Sequence, residues 1–322
     1  MRMPFRLFLL LLAFVALPIF PGTAQAAPSL LDVDARLAAI AWRLTTANAS
    51  LCRERQPVTG AVLHAADQYP PELRDTFAAP VAVELVVPDT PAARAGVVAN
   101  DGLVAIDGRD VATAGAAGDT LTSATRDAAQ ARIAALPLDA PIALTLRRDG
   151  VARHVTVQPR TGCRVEFEVL AGGKLGASSD GRVVQVGGRL FETFADDQIA
   201  VVVAHELAHA VLRHRVRLEA AGVRWGLLSE FGRNGRLFRQ TETEADLLGA
   251  YLLRNAGWDP QLAVRFWREH GGKIDGGLFR SRTHPSSKDR ADAIAAELAT
   301  MPANAPTPYL PPLLARRDAP LK

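Results

Sequence analysis

Cysteine is scarce in this sequence, two residues in 322, and there is no internal repeat. Two cysteines exclude a disulfide knot. Apolar runs are scarce as well: the one of any length lies at the very start, and nothing after it approaches spanning length. An excess of one sign of charge is also missing, with 37 Lys plus Arg against 34 Asp plus Glu. Two of those arginines, Arg2 and Arg6, fall in the leader described next. The remainder is close to neutral and gives no reason to expect nucleic acid as a partner. What is present is a globular mixture, 48% hydrophobic and 22% charged, which excludes a disordered or collagenous chain. At this length one core rarely organises everything, so two domains are expected.

Residues 1–26 carry a short basic region, an apolar run over 7–20 and then Ala24-Gln25-Ala26, the three-part layout of a secretory signal. The alternative is a membrane anchor, but the apolar run contains Pro18 and falls short of the roughly 20 residues that span a bilayer. No cysteine stands at the cleavage site to accept a lipid. The expectation is an exported protein without a spanning segment once the signal is removed, periplasmic if the source is a Gram-negative bacterium. In an oxidising compartment Cys52 and Cys163 are expected to pair; two separately buried thiols are the alternative.

Residues 27–79 read as an N-terminal helical segment. Leu30, Val33, Leu37, Ile40 and Leu44 recur at helical spacing over 30–50, and polar, turn-rich sequence follows. From 80 to 160 the signals turn to strands. A Val-rich run at 81–87 is followed by Thr90 and Pro91, which suit a helix cap and first helical position. Asp107-Gly108 and Asp149-Gly150 supply hairpin turns, and 126–136 reads as a helix. The string VVPDTPAARAGVVANDGLVAIDGRDV resembles the PDZ pattern, with Asn100-Asp101 in place of Gly-Asp. The resemblance implies a small β-rich domain that takes a peptide as an added strand. Phe77-Ala78-Ala79 falls roughly where the carboxylate loop belongs but lacks its glycine, so a brace without a peptide ligand is the alternative.

The chemistry is concentrated further on. Asp196 or Asp197 can cap a helix from Gln198, and IAVVVAHELAHAVL continues it with apolar residues on nearly every face, as in a buried helix. His205 and His209 sit about 40° apart round its axis, so both imidazoles can reach one point. Such a pair suits Zn²⁺, and Glu206 is placed to take a proton from a water that the metal acidifies. Seven His and 13 Glu placed at random would give only about 0.006 matches to HExxH. On a continuous helix His214 would lie about 180° from His205, outside the site.

A third ligand is expected from ETEADLLGAYLLRNAGWDP, read as a helix from near Gln240 to Gly257. Glu242 and Asp246 share a face, whereas Glu244 points about 200° away, towards solvent. Glu242 is therefore the proposed ligand, and Asp246 the acceptor for an imidazole N–H.

HELAH, then ETEADLLGAYLLRNAGWDP, then SRTHPSSKDR together resemble the zinc metallopeptidase family that includes the type one CAAX prenyl protease, HtpX and BepA. The resemblance covers about 163–298. It implies one zinc per chain held by His205, His209 and Glu242, Glu206 as general base, polypeptide substrates, and a substrate-lining edge strand, here read at 182–186. In BepA-like relatives the histidine comparable to His284 is a removable fourth ligand, so His284 is expected to be a latch or else a substrate contact. Arg290, His284 and Tyr251 are the candidate oxyanion helpers. The membrane-spanning helices of some members are missing, so no prenylated membrane substrate is implied.

The expected fold class is α+β. A β-rich PDZ-like domain over 80–160 precedes a mainly helical zincin-type metallopeptidase domain with a small edge sheet over 161–300, and a Pro-rich exposed tail occupies 301–322. The expected function is zinc-dependent endopeptidase action on unfolded or misassembled envelope proteins. The rival is a PDZ-bearing periplasmic chaperone or adaptor whose zinc site is structural or silenced.

Overall fold

Helix α1, Leu30–Ala47, starts where Ser29 can cap it: the Ser29 hydroxyl accepts from the Asp32 N–H at 3.2 Å, and the Asp32 carboxylate accepts from the Ser29 N–H at 3.1 Å. Its stripe of Val33, Leu37, Ile40 and Leu44 is buried, but not against the residues that come next. It packs with Val184, Leu190 and Leu248 in the core of the C-terminal half. The structure is a computed structural model and describes residues 28–112, 114, 120–172, 175–223, 232–274 and 285–322. The leader at 1–26, His284 and residues 113 and 115–119 of the Ala/Thr-rich stretch lie outside the described residues.

Between α1 and its packing partners the chain makes an excursion. Strands β1 (Arg55–Val58), β2 (Ala61–Ala65), β3 (Val81–Val86), β4 (Gly102–Ile106), β5 (Arg109–Asp110), β6 (Ile142–Arg148), β7 (Val151–Val157) and β8 (Arg160–Cys163) belong to it, with the short helices α2 (Pro71–Arg74) and α3 (Pro91–Arg94) and the longer α4 (Ala124–Ala134). β1 and β8 pair antiparallel and form a neck. The Cys52–Cys163 disulfide closes its base, with Cα atoms 5.4 Å apart and a sequence separation of 111. Above the neck the sheet runs β2-β3-β4-β6-β7, with β5 hairpinned on β4, and α4 packs across it through Ala129. Asp107-Gly108 and Asp149-Gly150 both have positive φ at each residue, as tight hairpins require. Thr90 caps α3, with Pro91 at its first position.

This β-rich excursion is thus an insertion between α1 and the helical part of the chain, and its main sheet begins at Ala61, not at 80. β2 is hard to see in sequence because His64 interrupts a run of only five residues. Gly60 introduces it at φ +89°, where a Cβ would come within 2.3 Å of Thr90. β2 is the sheet edge beside α4, and Thr59-Gly60 leads into it. Phe77-Ala78-Ala79 lies elsewhere, with Ala78 packed against the start of β4 at Gly102.

After the neck come β9 (Glu166–Leu170), β10 (Ala177–Ser179) and β11 (Val183–Gly187), in the order β10-β11-β9. β11 is central, not the edge expected at 182–186; β10, in the Gly/Ser-rich stretch before it, is the edge strand that pairs with it antiparallel. Gly187 N–H donates to Gly176 C=O, so the antiparallel alternation turns the backbone N–H and C=O groups of Ala177 and Ser179 away from β11. Helices α5 (Gly188–Thr193), α6 (Asp196–Val211), α7 (His214–Ala220), α8 (Gly232–Asn255), α9 (Gln261–Ile274) and α10 (Ser287–Ala299) follow. The tail is not free: Leu313 and Leu314 join the main core, and Arg217 donates to Ala319 C=O. No described helix is long and apolar enough to cross a membrane.

The disulfide ties the two chain crossings at the neck. Breaking that 111-residue loop is worth about 5 kcal/mol in the chain-entropy model. Cys52→Ser/Cys163→Ser should lower unfolding stability by up to that amount in non-reducing urea titrations; unchanged stability would show that the β1/β8 ribbon alone fixes the neck.

Candidate metal centre

Helix α6 is buried along most of its length, and its histidines are brought to one point by α8. The two helices cross tightly: a Cβ on Gly249 would sit 3.3 Å from the His205 backbone nitrogen. Glu242, Asp246 and Gly249 fall at i, i+4 and i+7, one stripe of α8, so the face that makes the contact also carries both carboxylates. His205, His209 and Glu242 each offer a ligand atom, all within 4.8 Å of one another. The two Nε2 atoms are 3.1 Å apart, and the Glu242 carboxylate lies 3.3 Å from one and 3.5 Å from the other.

Behind each imidazole stands a different support. His205 Nδ1 is 3.0 Å from Asp246 Oδ1, and Asp246 is gripped by both Nε and Nη2 of Arg290, at 2.6 and 2.7 Å. Arg290 comes from α10 and stacks on Trp267 of α9, its Cζ 3.4 Å from the ring centroid. His209 Nδ1 is 2.9 Å from His214 Nδ1, and His214 Nε2 is 3.3 Å from Glu244. Arg217 and Gln240 donate to Glu244 at 2.6 and 2.9 Å. Protons on His205 Nδ1 and His209 Nδ1 satisfy both chains of contacts and leave both Nε2 lone pairs facing the carboxylate.

That arrangement fits a divalent cation: three electron-pair donors converge with no proton between them. Their electrostatics agree. Burial would depress the His205 pKa, yet Asp246 and Glu242 raise it to about 10, whereas burial drives that of His209 well below its ordinary value. The carboxylates that favour a positive charge on His205 are the ones that would favour a cation beside it. Two imidazoles and a carboxylate are the donor set expected for zinc. Glu206 lines the same cleft, of about 600 Å³, whose far wall is β10.

Four placements differ from the sequence reading. His214 is buried beside His209, because α6 stops at Val211 and Arg213, in the left-handed region at φ 56°, turns the chain back; extrapolating one helix carried it to the wrong side. Glu244 is 1% exposed, since α7 and the C-terminal tail close over it. Arg290 lies behind His205, committed to Asp246 on the side away from the ligand nitrogen, so it is not an oxyanion donor. Tyr251 is equally removed, with its hydroxyl on Glu297. The sequence offered no spacing signal for the Arg290 contact, which bridges 44 residues.

A ligand-bearing helix pair with an acid at its cleft is the architecture of a metallopeptidase. Residues 219–298 match the family model described as Peptidase family M48. It is 36% identical over 131 residues to the mitochondrial metalloendopeptidase OMA1 of Schizosaccharomyces pombe, covering 34% of this chain and 39% of that one. It is 32% identical over 133 residues to the protein of the same name from Arabidopsis thaliana, covering 36% and 27%. The chain therefore spans well under half the length of the curated relatives it matches. Among solved structures it is similar to the HtrA3 PDZ domain bound to a phage-derived ligand, at 19% identity and a TM-score of 0.24, covering 33% of this chain and 88% of that one. It is also similar to the HtrA-type protease AlgW with a decapeptide, at 21% identity and a TM-score of 0.25, covering 33% and 30%.

Two expectations follow from the supports. Arg290→Ala removes no ligand but frees Asp246, and should weaken zinc binding roughly 10–100-fold in competition with a chromophoric chelator. Burial alone would raise the Glu244 carboxyl, but hydrogen bonds from His214, Arg217 and Gln240 hold it at about 2 instead of 4.5. The stability this supplies, about 3 kcal/mol, is complete above pH 4.5 and lost as pH falls towards 2. Urea unfolding of wild type should thus weaken more steeply over that window than unfolding of Glu244→Gln; parallel slopes would refute the assignment.

Proposed function

We propose that this chain is an exported zinc-dependent endopeptidase that cleaves unfolded or misassembled proteins of the cell envelope. The observation that carries the hydrolytic part is the convergence of His205, His209 and Glu242 on one point, with Glu206 in the same cleft. Zinc held by those three residues would supply Lewis-acid polarisation of a carbonyl and a water acidified to a pKa of about 7. Glu206 then acts as the proton carrier, taking a proton from the attacking water and returning it to the leaving amine. The outward N–H and C=O groups of Ala177 and Ser179 offer an extended polypeptide an added-strand partnership along the cleft wall, which suits an unfolded substrate. Burial of the ligand helix keeps bulk water from the supports of the histidines.

The pairing of Cys52 with Cys163 and the signal-like leader at 1–26 support an oxidising, exported location. The relatives' name places them in mitochondria, so the compartment of this chain is a proposal of its own. At the PDZ-like domain, β2 beside α4 is the edge where a peptide ligand would add.

Glu206→Gln preserves shape but cannot accept a proton. The variant should keep one zinc per chain and lose cleavage of unfolded protein substrates by at least about a hundredfold. Full activity in that variant would exclude Glu206 as base. A zinc-loaded wild type that cleaves nothing while holding unfolded chains in solution would favour the chaperone or adaptor reading.

A further inference from the structure

A second cavity, of about 360 Å³, adjoins the metal cleft, and the two share Asp180, Gly181 and Arg215. Arg53, Arg164, Arg182, Arg213 and Arg215 line it, against the carboxylates of Glu54, Asp180 and Glu219. The pattern of pairing decides what is left over. Arg53 and Arg213 reach Asp318 at 2.7 and 3.5 Å, and Arg215 engages Glu219 at 3.0 Å. Asp180 is occupied by the backbone N–H groups of Arg182 and Val183, at 2.8 and 2.7 Å. Arg164 and Arg182 are exposed and enter no ion pair among the described residues.

The cavity is built on fixed elements. Cys52 and Cys163 form part of its wall, so Arg53 and Arg164, each next to a bridged cysteine, are anchored to the base of the neck. The acid within it senses the positive field. Burial would raise the Asp180 carboxyl, yet the backbone donors with Arg215 and Arg182 hold it below the usual range. Among the described residues no aromatic side chain lines the cavity, so they offer no stacking platform of the kind that single-stranded nucleic acid uses. Its position is directional too. The chain leaves β10 at Ser179 and turns through Asp180-Gly181, so a polypeptide paired on the open edge of β10 runs out of the metal cleft into the arginines.

We propose that this cavity is an acidic-residue subsite, in which Arg164 and Arg182 take the glutamate or aspartate side chains of an extended polypeptide bound on β10. The proposal rests on the reading of β10 as the substrate-binding edge and adds a selectivity to it. Two guanidinium forks lining one groove favour carboxylates that arrive on an extended strand.

Binding, measured without turnover, tests it. Zinc-loaded Glu206→Gln protein is titrated into a short fluorescein-labelled peptide of Ala, Ser and Leu carrying a run of glutamates at one end, and anisotropy is followed. The same peptide with glutamines serves as reference. The glutamate peptide should bind about tenfold more tightly, with a difference that shrinks as salt rises. Arg164→Gln/Arg182→Gln should abolish that difference while leaving the glutamine peptide's affinity unchanged. Equal or absent binding of the two peptides overturns the subsite, as does a preference that survives the double substitution. Tighter binding of a single-stranded oligonucleotide through the same arginines would overturn it in favour of a general polyanion site. Wild-type protein that fails to hydrolyse peptides, with the binding preference intact, would defeat the endopeptidase reading alone.

Discussion

The contact on which the site depends is the crossing of α6 and α8 at Gly249. With no side chain there, the backbones approach until a methyl group would already be tight against His205. That distance decides whether one carboxylate on α8 can lie within 3.5 Å of two imidazoles on α6. It also decides whether Asp246, one turn further along, can reach the back of His205. A wider crossing would leave the same residue types in place with no common point between them. The motif on each helix is local chemistry, and its meeting point is a packing result.

Packing alone does not explain why so many charges are tolerated out of water. Asp246, Glu244, Arg217 and Arg290 are all nearly inaccessible, and isolated ions in such positions would cost several kcal/mol each. Here every one has partners at hydrogen-bond distance, and the chains of contact end on opposite charges or on backbone carbonyls. Removing one partner strands the rest, so the buried network specifies a single arrangement of helices α6, α8, α9 and α10. His205 and His209 are held unequally: one directly on a carboxylate, the other through a further histidine.

What could be read from the residues was whatever repeats within one element. The positions of His205 and His209 on one helix face, of Glu242 and Asp246 on another, and of the Asp-Gly turns are set by periodicities of a few residues. The α+β class followed from the same local patterns. Illegible were the places where the path changes direction. Arg213 adopts a left-handed conformation that no wheel diagram anticipates, and it carries His214 into the site. β10 hides in a Gly/Ser-rich stretch because an edge of three residues has too little alternation to register. The tail looks unfolded in composition, yet Leu313 and Leu314 reach the core. Contacts such as Arg290 with Asp246 join residues with no sequence relation at all.

The insertion of the β-rich domain between α1 and the rest of the core also bears on how the chain folds. During N-to-C synthesis the apolar stripe of α1 is complete long before Leu190 or Leu248 exists to cover it. Its contacts are therefore among the most non-local in the molecule, and a connection of more than a hundred flexible residues would make them slow to form. The inserted sheet changes that. Once it has folded by itself, pairing of β1 with β8 leaves the two ends of the insertion side by side, and the remaining search is only as long as the short segments below the neck. A domain placed in the middle of another thus shortens the kinetic distance it lengthens in sequence.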